Sequence, residues 1–155
     1  MLLAVDLGLR TGFALYGRDG RLATYRSQNL GSKARLRKAA PRVLADHPDV
    51  TVLVLEGGGD LAEIWKKAGA RAGLRVRIID AEVWRRPLLL PREQRSGAGA
   101  KSAADDLARA VIEWSGAKRP TGALRHDAAE AIAVGLWGVL AAGWLDAVPD
   151  EVRRR

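Results

Sequence analysis

Residues 50–55, Val-Thr-Val-Leu-Val-Leu, form a continuous run of aliphatic and β-branched side chains that ends in Glu56 and three glycines, Gly57 to Gly59. A strand of that composition has no polar face to give to water, so both of its faces must be covered. In one short chain the available cover is helices on either side of a sheet, which places the fold among the α/β architectures. At 155 residues the chain is the size of one domain. The expectation is a single domain over residues 1–145 and a basic tail over 146–155, with Arg153, Arg154 and Arg155 fraying at its end.

The flanking segments agree with that frame. Residues 2–6 and 12–16 are short apolar runs, and Arg18-Asp19-Gly20-Arg21 is a hairpin turn into residues 22–26, which together predict an antiparallel meander. Residues 33–46 read as a basic helix that Pro41 kinks or breaks. Residues 60–72 read as a helix with Leu61, Ile64, Trp65 and Ala68 on one face, and residues 74–79 as a fifth strand. Two prolines, two glycines and four arginines over 85–100 predict a long loop. Ser102, with Asp105 three residues later, predicts a helix start, and a last helix is expected over 127–145. The order βββαβαβαα makes a mixed five-stranded sheet, three strands antiparallel and two parallel, flanked by helices.

Composition excludes several classes. The absence of cysteine rules out a disulfide scaffold, thiol catalysis and cysteine-ligated zinc. The opening Met-Leu-Leu-Ala-Val-Asp has no charged leader, and the longest uncharged apolar run, residues 131–145, is shorter than the ~20 residues that span a bilayer. A soluble, cytoplasmic protein with no membrane partner is therefore expected. The net charge is +8, and all of the excess lies in residues 1–100. That asymmetry suggests a polyanionic partner, nucleic acid above all. Arg35, Arg37 and Lys38 crowd the first helix, and Arg85, Arg86, Arg92 and Arg95 punctuate the loop; these are the candidate phosphate contacts.

Four carboxylates stand out by position. Asp6 ends the first strand and Glu56 the fourth; as parallel neighbours their ends would lie ~4.8 Å apart in one crevice at the carboxyl edge of the sheet. Asp127 and Glu130 are spaced i, i+3 and share a face of the last helix's first turn. Singly, each also suits an ordinary turn or helix start. Converging, they are an oxygen-only ligand set suited to Mg²⁺ or Mn²⁺, and two such ions ~3.5–4 Å apart can drive phosphodiester hydrolysis.

Asp6-Leu7-Gly8-Leu9-Arg10-Thr11-Gly12-Phe13-Ala14 resembles the opening strand-turn-strand of the RuvC family of Holliday junction resolvases, which have the ribonuclease H-like fold. Val52-Leu53-Val54-Leu55-Glu56 is similar to its second motif, and Asp127-Ala128-Ala129-Glu130 followed by small and aliphatic residues to its third. The scarcity of Asn, Gln and Met would fit a thermophilic bacterial or phage member, while the abundance of Arg would equally follow from GC-rich coding. The resemblance implies a crossover junction endodeoxyribonuclease, a homodimer that resolves four-way junctions or other branched DNA by paired symmetric nicks. It implies two Mg²⁺ per site on Asp6, Glu56, Asp127 and Glu130, with Mn²⁺ as a substitute. Lys101 then contacts the scissile phosphate and joins the DNA-binding residues, and His126 is an additional ligand or proton carrier. Three departures stand out: Leu7 replaces the family's Pro, Glu130 its Asp, and residues 57–60 lack the aromatic residue that wedges into the junction. Two other readings remain open, a nuclease of the same fold acting on ribosomal RNA precursors (YqgF-like) and a non-catalytic nucleic-acid-binding module.

Overall fold

A computed structural model describes residues 1–154; Arg155 lies outside them. The elements are β1 (Leu2–Asp6), β2 (Arg10–Tyr16), β3 (Leu22–Asn29), α1 (Lys33–Ala45), β4 (Val52–Glu56), α2 (Gly59–Arg71), β5 (Arg75–Ile79), α3 (Ala81–Leu88), a 3-10 turn (Pro91–Gln94), α4 (Gly97–Ser115) and α5 (His126–Ala141). They form one sheet in the order β3-β2-β1-β4-β5. The β1–β2 and β2–β3 pairs are antiparallel; β1–β4 and β4–β5 are parallel. This is the ribonuclease H-like mixed sheet expected from the sequence.

Two cores, one on each face, hold the sheet. Because side chains alternate along a strand, Leu2, Ala4, Val52 and Val54 pack with α4 and α5, while Leu3, Val5, Leu53 and Leu55 pack with α1 and α2. β4 is covered on both sides, as its unbroken apolar run requires. No helix among the described residues is long and apolar enough to cross a membrane.

Four local readings are corrected. Residues 85–100 are not a loop. Pro87 falls in the last turn of α3, where the one carbonyl it frees belongs to Val83 on the exposed side. The start of α4 is Gly97 rather than Ser102: Ser96 caps it, its Oγ accepting from Gly99 N at 3.0 Å. Burial of Ala100, Ala103, Ala104 and Leu107 outweighs the poor helix propensity of the two glycines in the first turn. Pro41 does not break α1, because it lies on the solvent side and the Arg37 carbonyl that loses its donor is exposed to water. Finally, α5 stops at Ala141, where Gly143 takes φ 69° and Trp144 N bonds Val139 O at 2.9 Å, a Schellman closure.

Nor do the described residues at the C-terminus fray. Val152 is 1% exposed, and Arg154 pairs with Glu93 at 2.5 Å and Asp106 at 3.4 Å.

Candidate active site

The strand registers align Ile79, Glu56, Asp6, Gly12 and Ser27 as one rung across the sheet. Parity sets which way the rung faces. Asp6 lies two residues past Ala4 and Glu56 two past Val54, both of which pack against α5, so the two acids face α5 as well.

The first turn of α5 rests directly on this rung. A Cβ on Gly12 would sit 1.9 Å from the Asp127 carbonyl oxygen and 3.0 Å from Ala128 N. Only glycine lets the helix approach that closely. Further along, Gly135 is equally tight against the Tyr16 ring, and the Tyr16 hydroxyl donates to Ile132 O at 2.6 Å. Pressed down in this way, Asp127 and Glu130 are each only 9% exposed.

Carboxylate oxygens of Asp6, Glu56 and Glu130 all lie within 4.8 Å of one another. Asp127 is beside them but outside that group, since its Oδ2 accepts a hydrogen bond from Ser27 Oγ. The crowding is visible in the acidities. Burial first, and then the charges of Glu130, Glu56 and Asp127, push Asp6 from its usual 3.8 up to about 8. Glu56 is also raised, by burial and by Glu130, with Arg85 opposing the shift.

Glu130 is held from two sides: Arg85 Nη2 is 2.8 Å from its Oε1, and His126 Nε2 is 3.3 Å from its Oε2. Arg85 thus points inward and not toward an open DNA surface. Arg86, Arg92 and Arg95 are exposed on and after α3. Lys101, in the second turn of α4, is exposed and has no partner among the described residues. Arg35, Arg37 and Lys38 are exposed on α1, which packs on the sheet face opposite the acids. That helix does begin at the same edge of the sheet, where Lys33 Nζ lies 2.5 Å from Asp60 Oδ2.

Ser27 was absent from the sequence reading, and the reason is a bulge. Counting back from the Tyr16–Leu22 pair would set Gly12 opposite Arg26. The register shifts by one between Leu15 and Tyr16, so Gly12 meets Ser27. A one-residue slip exchanges the faces of a strand; here it turns Arg26 to the opposite core, over the Phe13 ring, and Ser27 to the site. The phosphodiester hydrolysis that the sequence leads us to expect should slow about tenfold in Ser27→Ala, the worth of one hydrogen bond to a charged group, with little change in melting temperature. Single-turnover rates beside a thermal melt check this, and an unchanged rate would remove Ser27 from the machinery.

The residues present fit a hard divalent cation. Ligands on opposite sides of an ion with ~2.0–2.6 Å bonds are ~4–5 Å apart, and the donors are oxygen throughout. Burial and the neighbouring carboxylates both disfavour ionised Asp6, and a cation seated among them would offset that penalty.

No protein-family profile matches the chain, and no curated protein matches it in sequence. Solved structures match it in shape. The structure of Thermus thermophilus RuvC aligns with TM-score 0.64 and 17% identity, over 92% of this chain and 95% of that one. T. thermophilus RuvC in complex with Holliday junction substrate gives 0.63 and 16%, over 92% and 94%. The yeast mitochondrial Holliday junction resolvase gives 0.55 and 12%, over 94% and 81%. At these identities the shared property is the fold.

Proposed function

We propose that this chain is a divalent-cation-dependent endonuclease of branched DNA that resolves four-way junctions by paired symmetric nicks, leaving 5′-phosphate and 3′-hydroxyl ends. One observation carries the reading: three carboxylates from β1, β4 and α5 converge within 4.8 Å at the carboxyl edge of the sheet. Support comes from the fold, which the chain shares with a RuvC solved on a Holliday junction substrate.

In this reading Asp6, Glu56 and Glu130, with Asp127 beside them, hold two Mg²⁺, and Mn²⁺ substitutes. Bound there, the ions supply Lewis acidity that activates water and stabilises the leaving oxygen. The chain's own groups do the rest. His126, 39% exposed on its side chain and 3.3 Å from Glu130, connects that carboxylate to solvent and is placed to hold or pass on a proton. Lys101 offers a free ammonium to phosphate, and Arg86, Arg92 and Arg95 supply further positive charge along the α3–α4 segment. Two symmetric nicks call for a two-fold homodimer, with α2 as the interface element, working in the cytoplasm.

Trp65 and Trp84 are fully buried, so neither can enter a junction in place of the aromatic wedge that residues 57–60 lack. Selectivity for branched DNA therefore rests on shape and charge. The test is a cleavage assay on labelled four-way junction, fork, flap, duplex and RNA–DNA hybrid, with Mg²⁺, Mn²⁺ and chelator. Paired, ion-dependent nicks on the junction are expected. Cleavage confined to an RNA substrate would move the reading to the ribosomal RNA branch, and junction binding without cleavage of anything would make the chain a binding module.

A further inference from the structure

Arg85 differs from the other arginines in where its charge goes. The side chain is 27% exposed, and its guanidinium lies 2.8 Å from the buried Glu130 carboxylate and 5.2 Å from the centre of the Trp84 ring, the ring itself wholly buried. The backbone beneath it is fastened: Gln94 Nε2 donates to Arg85 O at 3.2 Å and to Leu89 O at 2.9 Å. The turn that carries the guanidinium toward the acids is thus braced at its backbone. The hold on the guanidinium is nevertheless incomplete. Arg85 Nε is buried without a hydrogen-bond partner, so among the described residues the guanidinium makes one hydrogen-bonded contact, to Glu130, and otherwise lies against the Trp84 ring.

We propose that Arg85 is the internal counter-ion of the carboxylate site: in the ion-free protein its guanidinium holds Glu130 beside Asp6 and Glu56, and a divalent cation must take Glu130 from it. The inference rests on the reading of these acids as a cation site. A single positive charge helps one buried and two half-buried acids stay close without a metal, but it occupies a lone pair that the metal needs. Once displaced, the planar head remains tethered at the edge of the site, where its fork suits a phosphodiester oxygen pair. Arg85 thus links the two loading states of the site and acts as a positioning residue through Glu130.

Calorimetric titration of Mn²⁺ into the full chain without DNA tests this, using wild type, Arg85→Gln, Arg85→Lys and Asp6→Asn. Arg85→Gln is expected to bind Mn²⁺ about tenfold more tightly than wild type, because nothing competes for Glu130. Arg85→Lys, with a shorter reach and no fork, should fall between them, near threefold, and it serves as the readout should the glutamine variant not fold. The melting temperature of Arg85→Gln should drop in chelator and recover in Mn²⁺. A merely structural arginine would lower the melt in both and leave affinity unchanged or weaker. Equal or weaker Mn²⁺ binding by both variants, with wild type binding and Asp6→Asn not, overturns the counter-ion role while the cation site stands. No binding by wild type or by either Arg85 variant overturns both.

Discussion

Asp6→Asn is expected to reduce single-turnover cleavage of a four-way junction by about a thousandfold or more, while junction binding stays equal or becomes tighter. Asp6 occupies the centre of the rung, paired with Glu56 on one side and Gly12 on the other, so no neighbouring carboxylate can replace it. The amide keeps the shape and removes a negative charge from a surface that must accept phosphate. Rates within a few-fold of wild type would exclude Asp6 from the chemistry.

The same substitution is expected to stabilise the ion-free protein. Folded Asp6 titrates at about 8 against a usual 3.8, so between those values the folded chain holds a proton that the unfolded chain has released. Stability then falls as pH rises through this window, since raising the pH favours the state that binds fewer protons, here the unfolded chain. Asparagine has no such penalty. At pH 8, in chelator, Asp6→Asn should exceed wild type by on the order of 2 kcal/mol, and the two should converge toward pH 4. Mn²⁺ should stabilise wild type and not the variant. Thermal melts from pH 4 to 9 measure this, and parallel curves for the two proteins would show that Asp6 is not raised.

Gly12→Ala should be nearly as damaging without touching an ionisable group. The added methyl would lie 1.9 Å from a backbone oxygen, and neither β2, inside the sheet, nor α5, packed from Asp127 to Gly138, has a flexible side chain to move aside. The first turn of α5 must lift by more than an ångström, taking Asp127 and Glu130 from the rung. A misplacement of that size lowers catalysis about a hundredfold, and overpacking of this kind costs ~1–3 kcal/mol of stability. The distinguishing measurement is Mn²⁺ affinity, expected to weaken sharply in a chain that still melts cooperatively. Wild-type affinity and rate would mean that the helix approach is not what assembles the acids.

The mixed five-stranded sheet, three strands antiparallel and two parallel, and the four candidate acids Asp6, Glu56, Asp127 and Glu130 were legible in the chain before any coordinates. Residues 50–55 demand cover on both faces, and that requirement alone forces helices onto each side. The placement of Asp6 and Glu56 at the ends of two parallel strands brings them side by side, as their register shows. The i, i+3 spacing put Asp127 and Glu130 on one helical turn, but only Glu130 joins the close group, because Asp127 turns to Ser27. Proline and glycine misled the reading of 85–100: both lower helix propensity, yet α3 and α4 form there because their apolar faces are buried.

Periodicity is a local, covalent property, so the alternation of a strand and the turn of a helix report which way a side chain faces whatever the rest of the chain does. That is why the acids could be found in the sequence itself. Their partners could not. Ser27 reaches the site through one extra residue in a hairpin and Arg85 through a helix hidden among prolines, and the depth to which the first turn of α5 settles on the rung depends on the absent Cβ of Gly12. Each of these is a distance between residues 45 or more apart in the chain, and only the packing depth of one element on another sets such a distance.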